Sequence, residues 1–352
     1  MLSRKVILFF FATLLLTTQV LVVEADPQAT PAEMREAALL VGNVVPFGPT
    51  DGVLRYDGRG TFIDNMVPIG VAGVTIPCCM TFGPDENLYV SSPLESRVQR
   101  FNGVTGTFID TFVPAGSGGL VIPLILLFHE GYLYVGDTGA GAIRRYDAKT
   151  GAYVDNFIPD NSQGMGTFGD LQHFAFGPDK DLYVASQLSN RVLHYEGRTG
   201  AFVGEFVSSN AGLNGPSGLI FGPDELLYVG NFGSGEVRRY DVRTGTFEVF
   251  IPAGGTLKPF GPVGLVFGPD GNFYVASTSS EVLRYDKTGQ FLEAFVASGV
   301  GGITGPRVIT WKAKTTVCHQ PPGNPAHSRT LTIGYLSTRD HLRHGDTLGP
   351  CQ

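Results

Sequence analysis

The sequence predicts an all-β fold: a ring of six four-stranded blades, closed by strands from both chain ends and followed by a small disulfide-bonded module. Three observations lead there. One skeleton recurs along most of the chain, with the tyrosine of "LYV"-like runs at Tyr89, Tyr134, Tyr183, Tyr228 and Tyr274, at intervals of 45, 49, 45 and 46 residues. Each unit divides into four short apolar runs separated by Gly, Pro and Asp. The number of runs of each kind balances only when the two ends of the chain complete one unit between them.

Composition agrees. Among 352 residues there are 48 Gly, 43% hydrophobic residues and 16% charged residues, a profile of many short strands and tight turns. The net charge is −7 and no Lys/Arg block occurs, so nucleic acid and anionic membrane surfaces are not expected partners.

From the N-terminus, residues 1–25 read as a secretory signal: Arg4 and Lys5, an apolar run from Val6 to Val23, and small residues before cleavage after Ala25. An uncleaved anchor is the competing reading, because the apolar run is near spanning length. No later run is long and apolar enough to span a bilayer; "LVIPLILLF" (120–128) is short and contains Pro123. Export implies an oxidising compartment in which the four cysteines can pair. Residues 26–35 are expected to be a linker, with a short helix allowed.

The ring spans 36–311. In one unit the four runs are "SGLIF" (217–221), "LLYVG" (226–230), "EVRRYD" (236–241) and "TFEVFI" (246–251), named a to d. "GPD" between a and b supplies a type I turn; "DVRTG" between c and d ends on a glycine suited to positive φ. Runs a and b are almost continuously apolar, as in strands buried on both faces. Run c carries Arg and Asp and is expected nearer solvent. This gradient across the unit is that of a β-propeller blade.

Runs a, c and d each occur six times, the last a being "GPRVITW" (305–311) with Trp311 in the place of Phe221. Run b of the "LYV" kind occurs five times, and "EAALLVGN" (36–43) supplies the sixth. Its Leu39, Val41, Gly42 and Asn43 align with Leu227, Val229, Gly230 and Asn231. From Asn43 to Tyr56 is 13 positions against 9 from Asn231 to Tyr240, so "FGPT" (47–50) falls inside a longer b–c loop. The good helix formers in "PAEMREAALL" offer a helix as the alternative; the repeat template favours the strand. Closure by both ends removes exposed sheet edges.

The unit "FGPDGNFYVASTSSEVLRYDKTGQF" resembles NHL repeats and, more loosely, the six-bladed group of gluconolactonase-like and virginiamycin B lyase-like proteins. The resemblance covers residues 36–311 and rests on turn glycines, aromatic anchors and strand apolars, so it implies the fold and leaves the chemistry open. NHL propellers are mostly interaction modules, with a few enzymes. Asp137 matches the Asp that often follows strand b in such repeats; the other blades carry Asn43, Ser92, Ser186, Asn231 and Ser277 there.

In a four-stranded blade the d–a and b–c loops share one face. The d–a loops are long and Gly-rich here, so that face is the expected binding face. The start of strand a contributes Cys78, Leu124, Gln172, Ser217, Val263 and Arg307, then Cys79, Ile125, His173, Gly218, Gly264 and Val308. Channel-mouth binding candidates are Asn43, Asp137, Gln172, His173, Asn231 and Arg307. Asp137 and the two Asn are weak candidate Ca²⁺ ligands, against the simpler role of satisfying loop backbone groups; His173 reads as a pocket histidine before a base. A divalent-metal lyase or lactonase would need several carboxylates, or His with Glu, converging on the channel. The lyase-like family's catalytic residues do not map onto this chain. Cys78 and Cys79 read as two buried thiols before a strained vicinal disulfide.

After Trp311 the repeat stops, and residues 312–352 form a separate module. "CHQPPGNP" from 318 and "HLRHGDTLGPC" to 351 resemble a small C-terminal module found on assorted secreted bacterial proteins. Cys318 and Cys351 bracket it, and a bridge between them would stabilise by roughly 3–4 kcal/mol. His319, His341, His344 and Asp346 are candidate metal ligands, although the spacing fits no standard zinc pattern. The expected function is binding of a protein, glycan or cell-envelope component by a monomer, with no cofactor assigned beyond a possible Ca²⁺ or other divalent metal. A lyase or lactonase is the alternative.

Overall fold

The structure is a computed structural model. It describes residues 29–44, 52–77, 79–160, 162, 165–166, 169–258, 261–320, 328–335, 341, 345–348 and 350–351. The signal segment 1–25, "FGPT" at 47–50, Cys78 and His344 lie outside the described residues.

Six four-stranded antiparallel sheets form a ring. In blade 1 the strands are Pro306–Lys312 (a), Ala38–Asn43 (b), Gly52–Asp57 (c) and Phe62–Pro68 (d). Blades 2 to 6 run in chain order through 80–113, 123–158, 171–207, 216–251 and 262–296. "EAALLVGN" is therefore a strand. Leu39 pairs with Tyr56 on one side and with Trp311 on the other. The final strand a packs against the first strands of blades 2 and 6, which closes the circle.

Alternation decides which interface each residue enters. In blade 1, Ala38 and Leu40 join the core shared with blade 2, whereas Leu39 and Val41 join the core shared with blade 6. The other four clusters likewise lie between neighbouring blades. Strand b is buried from end to end in five blades, and in blade 3 at every residue after Tyr132. Gly42 is required by this crowding: a Cβ there would lie 2.4 Å from the Pro77 carbonyl oxygen.

Strand c departs from expectation. Arg55 and Arg144 are fully buried, because each guanidinium has several oxygen partners. Arg55 binds Asp64 and the Val104 carbonyl. Arg144 binds Asp137, Asn156 and the Gly118 carbonyl at 2.7–2.8 Å. Elsewhere a strand-c arginine pairs with the strand-d acid opposite, as in Arg100–Asp110, Arg145–Asp155 and Arg284–Glu293. In blade 4 the residue opposite is Gly204, His194 stands in the arginine's place, and its Nε2 turns instead to Asp181 at 2.8 Å. The turn Asp of "GPD" accepts the hydroxyl of the "LYV" tyrosine four residues on, at 2.8–3.0 Å in Tyr89, Tyr183, Tyr228 and Tyr274.

The linker contains a short helix, Pro31–Glu36, started by a Thr30/Glu33 capping box. The C-terminal module is a three-stranded sheet of Arg329–Gly334, Lys314–His319 and Thr347–Leu348, and Cys318 and Cys351 are bonded. It docks on the short-turn side of blades 1 and 2. Tyr335 is buried there, donating to the Gly103 carbonyl, and Lys312 and Thr315 meet Glu86.

Candidate functional site: the axial cavity

A cavity of about 370 Å³ lies where the strand-a starts converge, bordered by Val44, Pro93 and Ile76 from the b–c and d–a loops. It therefore opens on the long-loop face. Its wall is mostly aliphatic, with Leu124, Ile125, Leu126, Val263 and Ile309, and Cys79 and Met80 from blade 2. Polar groups are few: Gln172, His173, Ser217 and Arg307. Three channel-mouth candidates, Gln172, His173 and Arg307, thus share one cavity.

Their states differ. Gln172 donates its amide NH to the Gly169 carbonyl at 2.8 Å. The Ser217 hydroxyl donates to the Pro262 carbonyl. Burial lowers the His173 pKa to about 4, against opposing contacts with the backbone of Phe174 and Leu219, so the ring is neutral at pH 7. His173 Nδ1 is buried without a hydrogen-bond partner. Arg307 is exposed at the cavity rim.

The other three candidates do not line the cavity. Asn43, Asp137 and Asn231 are fully buried and tie the preceding d–a loop to the end of strand b. Asn43 Oδ1 accepts from the Thr304 and Gly305 amides, both at 2.9 Å. Asp137 accepts from the Val121 and Ile122 amides at 3.0 and 2.8 Å and from Arg144. Asn231 Oδ1 accepts from the Asn214 amide at 3.2 Å. Asp170, which the sequence reading did not single out, does the same from the other side in blade 4, accepting from the Gly166 and Ser189 amides, both at 2.9 Å, and from Ser186. Its signal was positional: Asp170 sits immediately before strand a of blade 4.

Among the described residues, the groups of three or more His, Cys, Asp or Glu are Asp179/Asp181/His194 and His319/His341/Asp346. Neither is at the axis. The first is the blade-4 counterpart of the strand-c arginine contacts, with His194 hydrogen-bonded to Asp181. In the second, the Asp346 carboxylate is fully buried and accepts from His319 Nδ1 at 2.9 Å, His341 Nδ1 at 2.7 Å and the Gln320 amide at 2.9 Å. Burial opposes ionisation, yet these three donors together draw the Asp346 pKa to about 2. Zinc bound at about 2.0–2.1 Å in a tetrahedron sets its donors about 3.3 Å apart. The observed spacings are those of hydrogen bonds, which is how the two imidazoles and this carboxylate meet in this structure.

These features define a class, the six-bladed β-propeller with an axial pocket on its long-loop face. No protein-family model matches the sequence, and no curated protein matches it. Solved structures do match. A nidogen/laminin complex contains a chain with TM-score 0.61 at 14% identity, over 78% of this chain and 98% of that one. A putative 6-phosphogluconolactonase from Bacteroides fragilis gives 0.56 at 13%, over 81% and 99%. A catalytically inactive variant of virginiamycin B lyase from Staphylococcus aureus with Quinupristin gives 0.51 at 15%, over 66% and 73%. At these identities the shared property is the fold.

Proposed function

We propose that this is an exported binding protein that acts as a monomer and holds its ligand at the axial cavity on the long-loop face. The partner is an extracellular protein, a glycan or a cell-envelope component. The cavity carries the proposal: it is mostly apolar, rimmed by loops on a rigid ring, and holds a few convergent polar groups, as ligand sites do. Export is supported by the leader-like N-terminus and by the Cys318–Cys351 bond. No described helix is long and apolar enough to cross a membrane.

A metal-dependent lyase or lactonase is the second reading, and the described lining does not supply its donors. Only His173 and Cys79 there are of ligating type, with no carboxylate. The test is a screen of glycan, protein and lipid arrays with the mature protein and a Leu124→Trp variant that fills the cavity. Binding lost in the variant supports the proposal. Binding indifferent to it, or no binding to any array, refutes it.

A further inference from the structure

We propose that the group the partner places in the axial cavity is a carboxylate at the end of an apolar moiety, a monoanion gripped by Arg307 with its hydrocarbon body laid across the ring. This deepens the binding reading above and rests on it.

Arg307 is the first observation. The strand-c arginines of the repeat face acids across the sheet. Arg307, on strand a, forms no hydrogen bond or ion pair with any described residue, although it sits at the rim of an apolar cavity. Among the described lining residues there is no Asp or Glu to pair with it, in a chain of net charge −7. A planar guanidinium with two free parallel N–H groups matches a carboxylate.

The opposite wall is the second. Arg307 belongs to blade 1, and Gln172 and His173 to blade 4, three places away in a ring of six. A ligand spanning the cavity from Arg307 meets neutral polar groups at its far end, with no second cation. His173 is uncharged at pH 7 because burial lowers its pKa. One fixed positive charge selects one negative charge, a carboxylate rather than a phosphate dianion. Between the two ends lie Leu124, Val263 and Ile309, which gain by burying hydrocarbon. The volume suits on the order of ten to twenty non-hydrogen atoms.

The experiment is calorimetric titration at pH 7 with 4-phenylbutyrate, 4-phenylbutanamide and phenethyl phosphate. It uses the mature protein and its Arg307→Gln, Arg307→Lys and Leu124→Trp variants, each checked for an unchanged melting profile. The acid is expected to bind at least about tenfold tighter than the amide, the scale of hydrogen bonds to a charged group. Arg307→Gln should bring the acid down to the amide, Arg307→Lys should keep part of the preference, and Leu124→Trp should abolish both. If acid and amide bind alike, or Arg307→Gln keeps the difference, the carboxylate assignment falls and the cavity reading stands. A phosphate ester that outbinds the acid overturns the monoanion. If neither acid nor amide binds while array ligands still depend on Leu124, this inference falls alone. If those ligands also ignore Leu124→Trp, both fall.

Discussion

Asp137 shows how much one side chain at the end of a strand can hold. It accepts two loop amides and one guanidinium while fully buried. Asp137→Ala therefore does two things: it frees the 113–123 loop and leaves the buried Arg144 guanidinium without its closest carboxylate. The second effect is bounded, because Asp160 Oδ1 stays 3.1 Å from the Arg144 guanidinium; losing one of two carboxylate partners should cost about 1.5–3 kcal/mol beyond the loop bonds. Asn231→Ala breaks comparable loop bonds but strands no charge, so its cost should be about 1–2 kcal/mol. Urea unfolding of the two variants checks the ranking; equal losses would show that Arg144 finds other compensation. His173 makes a prediction in pH. Its pKa falls from 6.5 to about 4 on folding. Between those values the unfolded chain holds a proton that the folded chain does not, so stability falls as pH drops through that window and is unaffected by this group above it. His173→Gln should flatten the wild-type loss between pH 6.5 and 4. An unchanged slope would place the imidazole in solvent.

At the scale of strands, the first one in the ring is the informative case. Ala38–Asn43 is flanked by good helix formers, and a short helix does form, but it ends at Glu36. Strand wins beyond that point because Leu39 and Leu40 enter different inter-blade cores, a burial on two sides that one helical stripe could not provide. Leu40→Ala should cost about 2–5 kcal/mol, the range for a fully buried leucine. Glu33→Ala, which removes the reciprocal half of the capping box and leaves the Thr30 cap, should cost far less. Thermal melts of both variants decide it; a larger effect at Glu33 would mean that the helix and not the strand secures the chain start. The strand was legible because the blade template left one vacancy of its shape. Gln172, His173 and Arg307 were legible for the same reason, since their register at the start of strand a is fixed by the repeat. Asn43, Asp137 and Asn231 occupy an equally regular register, but register does not reveal direction. Their side chains serve the neighbouring loop, and only the loop's path in space shows that. The buried Arg55 and Arg144 were misplaced for a related reason: their partners come from strand b, strand d, a d–a loop and a c–d turn, which the strand-c pattern does not display.

For the whole molecule, closure comes from both ends of the chain, and the C-terminal module is built on that seam. The last propeller strand, Pro306–Lys312, runs almost directly into the module strand Lys314–His319. The module inserts Tyr335 beside Arg55 and Met66 of blade 1 and the Gly103 turn of blade 2, while the Cys318–Cys351 bond holds its own ends together. The module thus covers the blade 1–blade 2 boundary on the side away from the cavity. Two truncations separate these roles. Ending the chain after Lys312 keeps all six blades but uncovers the Tyr335 socket; the ring should remain monomeric and lose a few kcal/mol, about the value of one large buried aromatic side chain. Ending it after Gly305 also removes strand a of blade 1 and leaves the largely apolar Ala38–Asn43 with an unpaired inner edge, the kind of edge that recruits another chain. That shorter protein should self-associate or fail to fold, read by light scattering on a sizing column. If it instead stays monomeric with a wild-type melt, the ring does not depend on a shared blade, and the axial cavity built from strand-a starts, with Arg307 among them, loses its structural basis.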